Sequence, residues 1–202
     1  RRASGIETAG ELTADVIAAA AQSPAATIAE NYVDAVAYRL GSKPFFIDKL
    51  PENILNLGFI AKAWPDAKMV HLRRNPMDAC FAMYKQWYFR FAYTLDDLAE
   101  YYLAYDRLSR HWRDTLGGRV IELEYEQLVS DQEAQTRWLL DRLGLDFEQA
   151  CLDFDRNAAP VATASSVQVR EKAHTRSVGK WNHYAQHLEP LRAKLEAGGV
   201  SL

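Results

Sequence analysis

Lys68-Met69-Val70-His71-Leu72-Arg73-Arg74-Asn75-Pro76 is the stretch on which the fold turns. Residues 68–72 form a brief apolar run rich in β-formers, and Pro76 suits the first turn of a helix better than the interior of a strand. The stretch therefore reads as a buried strand that carries two guanidinium groups to a helix N-terminus. Two other runs repeat the pattern: 45–48, which leads into Asp48-Lys49-Leu50-Pro51, and 119–123, which leads into Tyr125-Glu126. Short strands separated by helices imply an α/β fold, a parallel β-sheet flanked by helices.

Helix punctuation supports that reading. Ser23-Pro24 offers an N-cap and a Pro at the first helical position, opening a helix expected to run to about Leu40 before Gly41 stops it. Thr94 with Asp97 three residues later resembles a capping box, and Leu95, Leu98, Tyr102, Tyr105, Leu108 and Trp112 then recur at helical spacing. Asp131 starts a helix carrying Trp138, Leu139 and Leu143, closed by Gly144. No internal repeat, low-complexity tract or long linker divides the chain, so residues 1–202 are expected to form a single domain.

Composition narrows the function. The chain has 202 residues, 49% hydrophobic and 25% charged, as one globular domain requires. Lys plus Arg is 24 against 27 for Asp plus Glu, a net charge of −3, so bulk positive charge does not hold nucleic acid here. Any anion must be bound locally. The longest aliphatic run, 16–21, is far below the ~20 residues a spanning helix needs. Cys80 and Cys151 make neither a disulfide framework nor a zinc-spaced cluster, so a reducing, cytoplasmic setting and no metal are expected. Arg1-Arg2-Ala3-Ser4-Gly5 leads into no apolar stretch of signal-peptide length, and with no initiating Met the chain is expected to be incomplete at its N-terminus.

Ligands of open parallel α/β sheets bind beyond the carboxyl ends of the strands. Lys49 stands at one such place and Arg73 and Arg74 at another, each just before a Pro-initiated helix. Each also has a structural reading: Lys49 paired with Asp48 or capping a carbonyl, and the two arginines on the surface paired with Asp78. An Arg at a strand end suits bidentate phosphate recognition. His71, between Val70 and Leu72, reads as a satisfied histidine of the core or of the layer behind a site rather than a catalytic one, and the series Trp87, Tyr88, Phe89, Phe91 and Tyr93 as packing. The segment Thr163-Ala164-Ser165-Ser166-Val167-Gln168-Val169-Arg170-Glu171-Lys172 has no clear period, and its hydroxyls and cations fit a lid over a ligand.

Several motifs in order carry a resemblance that none carries alone. Ile47-Asp48-Lys49-Leu50-Pro51-Glu52-Asn53, Trp64-Pro65-Asp66-Ala67-Lys68, Arg74-Asn75-Pro76-Met77-Asp78-Ala79-Cys80, Tyr125-Glu126-Gln127-Leu128-Val129, Ala164-Ser165-Ser166-Val167-Gln168-Val169-Arg170 and Val178-Gly179-Lys180-Trp181 with Tyr184 together resemble the sulfotransferase family that uses PAPS (3′-phosphoadenosine 5′-phosphosulfate). The likeness is to the bacterial type whose domain often follows tetratricopeptide repeats, related to tyrosylprotein sulfotransferases, and it runs from about residue 8 to the end. It implies a P-loop-containing sulfotransferase-like fold. It also implies that Arg74, with Arg73 beside it, grips the 3′-phosphate of PAPS, that Lys49 sits near the transferring sulfuryl group, and that Ser165 or Ser166 serves the same leaving-group region. The stretch from Arg170 through Lys172 to Lys180 and Trp181 resembles the segment that folds over the nucleotide. Glu11 lies near the position of the proposed general base, although Leu12 follows it where the tyrosylprotein branch has a second glutamate.

Two departures stand out. The first strand and the Ser-Gly-Thr-Thr type phosphosulfate loop belong upstream of Glu11, and residues 1–9 do not supply them. Ala82 stands where the family usually has a serine that bonds the 3′-phosphate, and a hydrogen bond to a charged oxygen is worth about 1.5–3 kcal/mol, a factor of ten or more in affinity. The expected activity is metal-free transfer of a sulfuryl group to a hydroxyl of a peptide tyrosine, a carbohydrate or a small molecule. Lys49 and a Ser165 or Ser166 hydroxyl then stabilise the departing nucleotide, adenosine 3′,5′-bisphosphate, and Glu11 takes the acceptor's proton. The alternative is a non-catalytic nucleotide-binding or interaction module on a degenerate scaffold. A nucleotide kinase is disfavoured because no GxxxxGK[ST] sequence occurs.

Overall fold

Strand β1, Met69–Arg73, pairs in parallel with β2, Val120–Glu124, in the register Met69↔Val120 through Arg73↔Glu124. Both match the expected runs to within one residue. The computed structural model describes residues 13–86, 89–156 and 170–202, and among these the sheet has the order β1-β2. Because side chains alternate across a strand, Met69, His71 and Arg73 share one face with Val120, Glu122 and Glu124. The opposite face is apolar. There Ile121 and Leu123 are buried, while Val70 and Leu72 on β1 are exposed.

The helices are α1 (Ala14–Gln22), α2 (Ala25–Val36), α3 (Leu57–Ala63), α4 (Pro76–Tyr84), α5 (Leu95–Leu116), α6 (Tyr125–Ser130), α7 (Gln132–Leu143) and α8 (Glu189–Ala197). Alternation of these with the parallel strands makes the fold α/β, as the sequence implies. By compactness the described residues fall into two units, the first within Arg1–Ala67 and His111–Arg119, the second within Lys68–Arg110 and Val120–Leu202.

In the second unit the core collects the apolar stripes of three helices: Met77, Cys80 and Phe81 of α4, Leu98, Ala99 and Tyr102 of α5, and Leu191 and Leu195 of α8. Each Met, Leu or Phe side chain among them contributes about 1.5–3 kcal/mol when fully buried. Thr94 opens α5 as expected: its hydroxyl accepts the Asp97 amide at 3.0 Å and donates to the Asp97 carboxylate at 2.7 Å. Asp131 accepts the Ala134 amide at 3.2 Å to cap α7, and Gly144 closes that helix at φ 70°, a left-handed conformation that glycine enters at low cost.

In the first unit, cations cap helix ends. The Lys62 ammonium donates to the carbonyls of Ala21 and Ser23 at 2.7 Å each, at the end of α1, where the helix dipole favours positive charge. Arg119 does the same at the end of α3, donating to the Ala61 and Trp64 carbonyls at 3.2 and 3.3 Å. Trp112 donates its indole N–H to the Ile54 carbonyl at 2.7 Å and lies against Gly58, where a Cβ would come within 2.7 Å of the ring.

Two local expectations are corrected. Residues 45–48 form no strand, and Phe45, Phe46 and Ile47 are 71%, 56% and 91% exposed. An apolar run becomes a strand only where a neighbour completes its ladder, and none does among the described residues. Ser23-Pro24 does not cap α2 in the expected way. Pro24 itself is the N-cap and makes no side-chain cap bond, while Ser23 terminates α1, its hydroxyl donating to the Ala19 carbonyl at 3.4 Å. Helix α2 ends at Val36, and a 3-10 turn, Ala37–Arg39, completes the run toward Leu40.

Candidate functional site

The loop from β1 into α4 is built by three hydrogen bonds of Asn75, two local and one to a residue remote in the chain. Asn75 caps α4 with its side-chain oxygen, accepting the amides of Met77 at 3.0 Å and Asp78 at 3.2 Å. Its own amide donates to the Glu126 carboxylate at 2.9 Å, which ties this loop to α6, the helix that follows β2. The Asn75 side chain thus takes two of the amides at this helix start. Anion recognition here falls to side chains.

Arg74 is the side chain so placed. Its guanidinium lies over the Tyr125 ring, 5.1 Å from the centroid, and its Nη2 donates to the Ser177 carbonyl at 2.5 Å. Its Nε is buried and has no hydrogen-bond partner among the described residues. A partly buried guanidinium whose donors meet, among the described residues, only a neutral carbonyl and a ring face retains capacity for an anion. Arg73, on the other face of the strand end, serves different neighbours. It sits 3.8 Å from the buried Asp106 and 3.8 Å from Glu122, and Asp106 also pairs with Arg110 at 2.8 Å. A cleft of about 230 Å³ beside it is lined by Arg73, Glu122, Leu123, Glu124, Gln127, Gln135 and Trp138. Its two carboxylates suit it poorly to a polyphosphate.

The pairing of either arginine with Asp78 is also corrected. Asp78 is 1% exposed, and its oxygens accept the amides of Gly179 at 2.5 Å and Trp181 at 3.2 Å. His71 reads as expected: it shares a 2.8 Å hydrogen bond with the Tyr105 hydroxyl and lies 3.7 Å from Glu122. Burial is the first cause that pushes the Tyr105 hydroxyl above its ordinary value.

The C-terminal cations follow in the same unit. Arg170 and Lys172 are exposed. Lys180 is exposed and opens the 3-10 turn Lys180–Tyr184, while Trp181 packs partly buried against the core that includes Met77 and Phe81. Lys49 belongs to the first unit. It lies outside helix and strand just before the 3-10 turn Pro51–Asn56, so the Pro-started helical turn is as expected although no strand precedes it. Its pairing with Asp48 is corrected: Asp48 accepts the Tyr32 hydroxyl at 2.5 Å and the Asn53 amide at 3.2 Å, and Lys49 makes no ion pair among the described residues. Burial and the bond to Asp48 push the Tyr32 hydroxyl up to about 12. Glu11, Ser165 and Ser166 lie outside the described residues, as do Trp87 and Tyr88.

Sequence reasoning missed Asp78 and Glu126 as organisers of the loop. Both stand inside motifs that carry the resemblance, but a carboxylate's choice of backbone amides over a nearby arginine depends on burial. No group of three or more His, Cys, Asp or Glu among the described residues is placed to hold a metal ion. No helix among them is long and apolar enough to cross a membrane.

In this α/β fold the end of β1 delivers a partly buried arginine to the capped start of α4. Comparison with known proteins makes the class specific: residues 2–149 match the sulfotransferase family, and the chain belongs to that family, whose chemistry is sulfuryl transfer. An uncharacterized protein of Aquifex aeolicus (strain VF5) is 32% identical to it over 176 residues, 84% of this chain and 23% of that protein. The chain thus spans about a quarter of the length of the curated relative it matches.

Proposed function

We propose that this chain is the sulfotransferase domain of a PAPS-dependent enzyme that acts on a hydroxyl acceptor, of the bacterial type related to tyrosylprotein sulfotransferases and often preceded by tetratricopeptide repeats. The observation that carries the reading is Arg74. Its buried Nε lacks a partner among the described residues and its Nη2 meets only a carbonyl, which fits the chemistry of a phosphate. The exposed ammonium of Lys49, unpaired among the described residues, supports a second cationic role.

In this reading the donor supplies an activated sulfuryl group. Arg74 binds the 3′-phosphate, with Arg170, Lys172, Lys180 and Trp181 assigned to the same nucleotide, while Arg73 stays with Asp106 and Glu122. Lys49, with Ser165 or Ser166, steadies the negative charge that grows on the bridging oxygen as the sulfur–oxygen bond to the nucleotide breaks. The acceptor oxygen forms the new bond to sulfur, and Glu11 takes its proton. The acceptor is a peptide tyrosine, a carbohydrate or a small molecule, and the setting is cytoplasmic.

Calorimetric titration of the full chain with adenosine 3′,5′-bisphosphate tests the donor site. Saturable binding is expected, with Arg74→Ala weakening it at least ten-fold, the equivalent of about 1.5–3 kcal/mol for a lost charged hydrogen bond. Equal affinity of the variant contradicts the assignment. Lys49→Ala should instead cut turnover strongly and change nucleotide affinity little. Ala82 favours a second reading, a binding module without turnover, and nucleotide binding without sulfuryl transfer to any hydroxyl acceptor selects it.

A further inference from the structure

Arg74 and Asp78 flank the start of α4, and both reach the same strap of chain, residues 177–181. Arg74 donates to the Ser177 carbonyl at 2.5 Å, while Asp78 accepts the amides of Gly179 at 2.5 Å and Trp181 at 3.2 Å. The two fastenings differ chemically. A phosphate is a stronger partner for a guanidinium than a neutral carbonyl is, so an anion at Arg74 competes directly with Ser177. Asp78 is negative, 1% exposed and unpaired with any cation among the described residues, so an anion does not displace its amides. The strap is therefore replaceable at one end and fixed at the other. Lys180 lies between the two amides that Asp78 holds, and it is exposed with no ion pair among the described residues.

We infer that Asp78 is a positioning residue for the anion site: it holds the strap to the first turn of α4 so that Lys180 stays at that turn when an anion takes the place of the Ser177 carbonyl. Gly179 makes the close approach possible, because its φ of 70° is a conformation other residues rarely adopt. The inference rests on the donor reading above, and its test separates the two.

Asp78→Asn keeps an acceptor oxygen but removes the charge and one amide partner. It is expected to weaken adenosine 3′,5′-bisphosphate binding about ten-fold and to speed amide exchange at Gly179 and Trp181, leaving Leu191 and Leu195 of α8 unchanged. Gly179→Ala leaves Asp78 in place but strains the strap and brings a Cβ to 3.1 Å from Asn182 Nδ2. It should act in the same direction and decides the matter if the Asp78 variant does not fold. Because Asp78 acts through Lys180, Asp78→Asn should cost little further affinity in a Lys180→Ala background. Additive losses, or wild-type affinity in both strap variants, overturn the positioning role and leave the donor reading standing. Absence of binding by the unmodified chain overturns the donor reading, and the positioning role falls with it.

Discussion

Cys80 and Cys151 show how far environment separates two identical side chains. Cys80 is fully buried among Met77, Phe81 and Tyr102, and burial pushes its thiol up to about 12, whereas Cys151 is exposed. At pH 8 a soluble alkylating reagent is expected to modify Cys151 and leave Cys80 intact in the folded chain, with both modified in denaturant. Mass spectrometry of the peptides checks this, and rapid labelling of Cys80 in the native protein contradicts its place in the core. The arginines teach the same lesson at the site. Arg73 and Arg74 look alike in sequence, yet one is held by Asp106 and Glu122 and the other meets Ser177 and Tyr125. That Arg74 stands at a strand end was legible from residues 68–76. Its choice of partners was not, because those partners lie about fifty and a hundred residues away along the chain.

At the scale of elements, what is decided within a turn was readable and what needs a distant neighbour was not. Thr94 and Asp97 satisfy each other across three residues, so the start of α5 follows from local chemistry. Thr94→Ala should lower unfolding free energy by about 1 kcal/mol, measured by urea denaturation, and Thr94→Ser should restore most of it. Asn75, Asp131 and Gly144 mark helix ends for the same reason. Residues 45–48 fail as a strand because a ladder bond requires a partner, and hydrophobicity cannot state whether one is present. What shapes that segment instead is the Asp48 carboxylate, held by Tyr32 and Asn53.

Groups whose ionised form is disfavoured in the folded state set the response of the whole chain to alkali. The Cys80 thiol rises from 9.0 to about 12 and the Tyr32 hydroxyl from 10.0 to about 12, with desolvation the first cause of each, and burial raises Tyr102 as well. A folded value above the unfolded one means that the folded state holds its proton more tightly. That contribution is complete below about pH 9 and is lost as pH rises from there through 12. Unfolding free energy is therefore expected to fall between pH 8 and pH 11, and a flat profile across that interval contradicts the buried placement of Cys80 and Tyr102.

By itself the sequence determined the α/β class, the two strands that exist, the helix boundaries set by Thr94, Asp131 and Gly144, and the candidacy of Lys49 and Arg74, because periodicity, capping and strand-end cations act over a few residues. Only the tertiary structure decided that 45–48 stays out of the sheet, that Asp78 binds the amides of Gly179 and Trp181 rather than an arginine, and that Glu126 steadies Asn75. Those outcomes depend on burial and on partners remote in the chain, which raise the cost of an unsatisfied charge or amide to a level that no local pattern encodes.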